Sequence, residues 1–70
     1  MLQKNGLYIV EVISLTITDE NTKKEIILYQ DEIIKILDFK GINVIFKKEK
    51  TSEIFEVSKL GLNFAVSRIK

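Results

Sequence analysis

The side chains able to do chemistry in this chain are carboxylates, amines and hydroxyls, because it contains no Cys and no His. That excludes disulfides, thiolate or imidazole metal ligation, Cys or Ser–His nucleophile systems and imidazole acid–base catalysis. Carboxylates fall close together twice, at Asp19 with Glu20 and at Glu25 with Asp31 and Glu32. Such groups can serve as acid and base, or hold Mg²⁺ beside a substrate phosphate. Here each one sits where a hairpin loop or a helix cap is expected, and those roles explain them better. The three glycines, Gly6, Gly41 and Gly61, are isolated and build no phosphate-binding loop. Gly41 and Gly61 read instead as markers of a bulge or tight turn. No catalytic residue, cofactor site or metal ligand is assigned, and the chain reads as a non-enzyme.

The amines suggest a different activity. Lys23 and Lys24 sit at the tip of one expected hairpin, Lys47, Lys48 and Lys50 crown a second, and Arg68 lies near the end of the chain. Lysines beside exposed aromatic rings suit single-stranded nucleic acid, with Tyr8, Tyr29, Phe39 or Phe46 as stacking platforms. Against this, 11 basic residues face 10 acidic ones, a net charge of +1, so there is no broad basic field. Lysine is also a common guard of hairpin edges. Nucleic-acid contact through Lys23, Lys24, Lys47, Lys48, Lys50 and Arg68 is therefore the alternative reading.

Seventy residues leave room for one domain, residues 1–70. Hydrophobic residues make up 46% and charged residues 30%, which is globular composition. The apolar stretch from Leu7 to Val10 is interrupted by Glu11, and no small-residue cleavage site follows. A signal peptide is not expected. The uncharged run from Val12 to Thr18 is far short of the roughly 20 apolar residues of a membrane helix. A cytoplasmic location with no membrane partner is expected.

The elements that must position these groups are mostly strands. Leu7 to Thr18 is rich in β-branched residues, and its second half alternates apolar and hydroxyl side chains. A loop at Glu20–Lys23 pairs Ile17 with Ile26 and Leu15 with Leu28, and sets Asp19 opposite Lys24. A second loop at Glu49–Ser52 pairs Phe46 with Phe55, Val44 with Val57 and Lys48 with Glu53. Residues 31–39 read two ways. Asp31 can cap a short helix ending near Gly41, or Ile33 to Phe39 can be a strand. From Leu60 to Val66 apolar residues recur with period two, which favours a strand. A helix would instead align Leu62, Ala65, Val66 and Ile69, but Gly61 and Asn63 are poor helix formers. The expected fold is mainly β, a small five-stranded SH3- or OB-like barrel or a strongly twisted antiparallel sheet, with at most one short helix near 31–39. The expected core is Ile13, Leu15, Ile17, Ile26, Leu28, Val44, Phe46, Phe55, Val57, Leu62, Phe64 and Val66.

The first strand suggests a function. Leu7 and Ile9 lie on one face and Tyr8, Val10 and Val12 on the other, so both faces are apolar. Such a strand must be covered twice. A bulge near Glu11 that switches the buried face is one solution. The other is a second subunit, which would also supply the stability that absent disulfides and metals cannot. The leading expectation is a small regulatory or accessory module without catalytic activity. It works through protein–protein contacts, as a homo-oligomer joined through Tyr8, Val10 and Val12 or docked on a larger protein.

Overall fold

The computed structural model describes residues 1–69. Among the described residues seven strands and one short helix follow in the order β1 (Leu7–Val10), β2 (Ser14–Thr18), β3 (Glu25–Tyr29), β4 (Ile33–Lys40), β5 (Asn43–Lys48), β6 (Ile54–Ser58), α1 (Lys59–Asn63) and β7 (Val66–Arg68). Five strands form one sheet in the order β6-β5-β4-β1-β7, and β2 with β3 form a separate hairpin. All pairings are antiparallel. The protein is mainly β, as its β-branched runs imply. Among the described residues no helix is long and apolar enough to cross a membrane.

Both expected hairpins form in the expected register. Ile17 pairs with Ile26 and Leu15 with Leu28, and the Asp19 amide donates to the Lys24 carbonyl at 2.8 Å. The Asp19 carboxylate is buried and accepts from the amide of Asn21 at 2.9 Å, which fixes the turn from within. In the second hairpin Phe46 pairs with Phe55 and Val44 with Val57, and the Lys48 amide donates to Glu53. A third hairpin joins β4 to β5. Lys40 pairs with Asn43, and Gly41 takes a φ of +60° between them. A residue with positive φ at the first central position is what a two-residue connection of this kind demands, and glycine adopts it without strain.

Residues 33–40 are strand, preceded by a turn at Asp31, so the short helix expected near 31–39 is absent. Asp31 does not cap a helix; it stands in the left-handed region at φ +73°, where Asp is tolerated. This turn lets the Asp31 amide donate to Val10 and the Val10 amide donate to Glu32. The register of β4 against β5 shifts between Ile36 and Asp38, a bulge that re-aims the end of the strand.

The helix lies instead at Lys59–Asn63, where a strand from Leu60 to Val66 was expected. Ser58 caps it, its hydroxyl accepting from the Gly61 amide. The chain must travel from β6 at one edge of the sheet to β7 at the other, and one helical turn makes that crossing while burying Leu62. Phe64, expected in the core on the strand reading, is consequently 72% exposed. Ile13 is 82% exposed and also leaves the expected core.

The core is built from Leu2, Tyr8, Val10, Leu28, Ile34, Ile36, Val44, Phe46, Val57 and Leu62, with Val12, Leu15, Ile17, Ile26, Phe55 and Val66 packed against it. Even-numbered residues face inward in β1 and odd-numbered ones in β2. The chain leaves strand geometry between Val10 and Ser14. The buried face therefore switches near Glu11, through a break between two strands.

Candidate functional site: an apolar groove beside the helix

The N-terminal segment is tied to the sheet before β1 begins. The Gln3 amide donates to the Tyr8 hydroxyl at 2.7 Å, and that hydroxyl lies 3.3 Å from the Met1 carbonyl. The Asn5 amide donates to Ile36, and the Ile36 amide donates to Gly6. These bonds bring Leu2 into the core, where it is 6% exposed. On the neighbouring side the bulge in β4 turns Phe39 toward α1. Lys59 opens that helix, and its amide donates to the Ile42 carbonyl. Its ammonium lies 5.4 Å from the centroid of the Phe39 ring, a cation–π contact.

Between these elements runs an open groove of about 410 Å³ lined by Met1, Leu2, Phe39, Lys59, Leu60 and Asn63. Leu60 is 84% exposed on its wall. Ile42, whose carbonyl accepts from the Lys59 amide, is exposed as well. Solvent-facing Leu and Ile around a concave surface are costly to leave bare, and such patches mark interaction sites. The groove can bind an apolar segment and offer one ammonium to it. Among the described residues no carboxylate lines the groove; the nearby Asp38 in β4 pairs with Lys4 at 3.8 Å.

A second cleft, of about 480 Å³, is lined by Gln30, Asp31, Glu32, Ile33, Lys48, Glu49 and Lys50. Two of its three carboxylates, Glu32 and Glu49, are held in ion pairs. Glu32 accepts from the Tyr29 amide at 2.7 Å and pairs with Lys48 at 3.7 Å. Among the described residues no cluster of three acidic side chains could hold a metal ion. Asp19 and Glu20 belong to the first hairpin turn, and Glu25 starts β3.

The basic residues named from the sequence do not converge on one surface. Lys23 pairs with Glu20 in the first turn. Lys47 points away from the core and pairs with Glu49. Lys48 turns the other way, lies 5.8 Å from the Phe55 ring centroid and donates to the Ile27 carbonyl. Lys24 and Lys50 are exposed at the two hairpin tips. Arg68 donates to the Gln3 side chain and stacks over Tyr8. Of the proposed stacking rings, Tyr8 and Phe46 are buried, at 3% and 0% exposure.

The oligomer residues named from the sequence are inside this chain. Tyr8 and Val10 belong to the core, and Val12 packs against it. The apolar face left outside is the opposite one, Leu7 and Ile9, both half-buried. An interface made by Tyr8 and Val10 would require the core to open, because β4 and β7 flank β1 and the β2–β3 hairpin contributes Leu28 beneath it.

Of the groove residues only Phe39 was singled out in the sequence, as a stacking ring for nucleic acid. The signal that reveals Leu60 as a helix residue is Ser58 three positions before Gly61, an N-cap spacing that period-two alternation obscures. Comparison of the chain with protein-family models, with curated proteins and with solved structures gives no match.

Proposed function

We propose that this protein is a non-catalytic interaction module that receives an apolar segment of a partner protein in the groove between its N-terminal segment, Phe39 and α1. The observation that carries this reading is Leu60, 84% exposed on the wall of a concave surface whose floor, Leu2, is core. Lys59 adds a cation held over Phe39, suited to a carboxylate on the incoming segment. The partner proposed for the groove is a different protein; Tyr8 and Val10, the residues that suggested self-association, are buried within the chain.

The scaffold under this reading is a small SH3-like barrel. Its support is the way the β2–β3 hairpin bridges separate parts of the five-stranded sheet. The Glu20 amide donates to Glu56 on β6, and the Asp31 amide donates to Val10 on β1. A rigid sheet scaffold presenting a groove at its margin favours binding, because little ordering entropy is lost on association. A cytoplasmic setting fits the absence of cysteine.

Selection of a displayed library of random 12-residue peptides on the purified protein tests the reading. Enriched peptides should carry an aliphatic or aromatic anchor near an acidic residue, and a folded Leu60→Asp variant should bind them at least tenfold more weakly. Enrichment of no peptide, or binding indifferent to Leu60→Asp for every peptide recovered, overturns the groove as the site.

A further inference from the structure

The face of the five-stranded sheet turned away from the core carries a regular chemical pattern. Tyr8, Val10, Ile34, Ile36, Val44 and Phe46 are buried. Their strand neighbours Leu7, Ile9, Lys35, Ile45 and Lys47 therefore point outward. Register places Ile54 beside Lys47, Lys47 beside Lys35 and Lys35 beside Leu7, one lateral row across four strands. Ile9 pairs with Ile33 next to it. Ile33 is 41% and Ile54 58% exposed. The row is aliphatic at both ends and cationic in the middle.

Like charges directly opposite on neighbouring strands destabilise a sheet. Lys47 has Glu49 at 3.6 Å. Among the described residues Lys35 has no acidic partner within ion-pair distance. Lysine stems can shield aliphatic surface and guard a sheet against aggregation. That role explains lysines on this face but gives no reason to place two of them opposite each other. A carboxylate from outside, bridging the two ammonium groups, turns the repulsion into two charge-assisted bonds.

We propose that this outer face docks a segment of a partner protein that presents carboxylates between aliphatic side chains. The carboxylates meet Lys35 and Lys47, and the aliphatic groups cover Leu7, Ile9, Ile33 and Ile54. A second copy stacked on itself about the Lys35–Lys47 pair would add another lysine pair to the first, which disfavours that occupant. Single-stranded nucleic acid is the wrong complement, because none of these outward residues is aromatic and no base can stack. This surface is independent of the groove at Leu60.

The experiment repeats the peptide selection on the Leu60→Asp variant, in which the groove is blocked. Recovered peptides should alternate Asp or Glu with aliphatic residues. Their affinity should fall at least tenfold in Lys35→Glu and return when the acidic residues of the peptide are changed to lysine. Lys35→Glu should melt at or above the wild-type temperature, because it replaces a like-charge pair by an opposite one, so lost binding cannot be ascribed to unfolding. Recovery of no peptide, of peptides without acidic residues, or of peptides indifferent to Lys35→Glu overturns the proposal. So does a wild-type dimer at micromolar concentration that Ile33→Asp dissociates, which makes a second copy the occupant. Binding of a 12-residue oligothymidylate that Lys35→Glu abolishes overturns it in favour of nucleic acid.

Discussion

Phe46 and Phe55 meet across β5 and β6 with ring centroids 5.7 Å apart and planes inclined by 47°. The pair is unequal. Phe46 is completely buried, whereas Phe55 is only partly buried and has the Lys48 ammonium near its ring. Phe46→Ala should therefore cost about 3–5 kcal/mol, enough to unfold most of so small a domain. Phe55→Ala should cost about half as much, since fewer of its atoms leave the core. Urea unfolding followed by circular dichroism measures both, and equal losses would contradict the unequal burial.

Val10 lies between β4 and β7 with no exposed surface. A carboxylate there has neither water nor a cation to compensate its desolvation. Val10→Glu should unfold the chain, with loss of the β-sheet circular dichroism signal at neutral pH. A folded, monomeric Val10→Glu protein would place Val10 at a subunit interface after all.

Gly6 lies tightly against the phenol that holds the N-terminal segment. A methyl group at this position would stand 2.9 Å from Tyr8 Cε1 and 3.1 Å from the Gln3 carbonyl oxygen. The ring cannot swing away freely, because its hydroxyl accepts from the Gln3 amide. Gly6→Ala should destabilise by about 1–3 kcal/mol, the usual cost of overpacking. Hydrogen exchange should show the Gln3 and Asn5 amides losing protection first. Unchanged protection would mean that the segment is not held this way.

Asp19 is the buried carboxylate of the first turn, accepting from the Asn21 amide at 2.9 Å and less closely from Thr22 at 3.4 Å. Asp19→Ala should cost about 1–2 kcal/mol, as removal of a side-chain cap does elsewhere. Asp19→Asn keeps an acceptor oxygen and should recover most of that loss. Thermal melts of the two variants decide this, and identical losses would show that the hydrogen bonds contribute nothing.

Leu60 sits on the groove wall with 84% of its surface exposed. Leu60→Asp should change stability by no more than about 0.5 kcal/mol, the ordinary range for a surface position. A large loss in chemical denaturation would make Leu60 part of the core and disqualify the variant as a probe of binding.

The amino-acid sequence by itself determined the local pairings. Matched apolar registers and oppositely charged ends placed Ile17 against Ile26 and Phe46 against Phe55, because a slip of one residue would turn every buried side chain outward. It also showed that β1 is apolar on both faces, and left open whether a switch of the buried face near Glu11 or a second subunit covers the further one. Only the tertiary structure decided which of the two faces of β1 is the inner one. Alternation fixes which residues share a face but not which face meets the core. That choice follows from β1 entering between β4 and β7 beneath the β2–β3 hairpin. The same limit applies at Leu60. Residues 60–66 fit a strand by alternation, yet the chain has to cross from β6 to β7, and a capped helical turn does so while burying Leu62 and leaving Leu60 in solvent. Sequence periodicity records local side-chain direction, whereas the groove is assembled from Leu2, Phe39 and Leu60, which are remote in the chain and meet only through long-range packing.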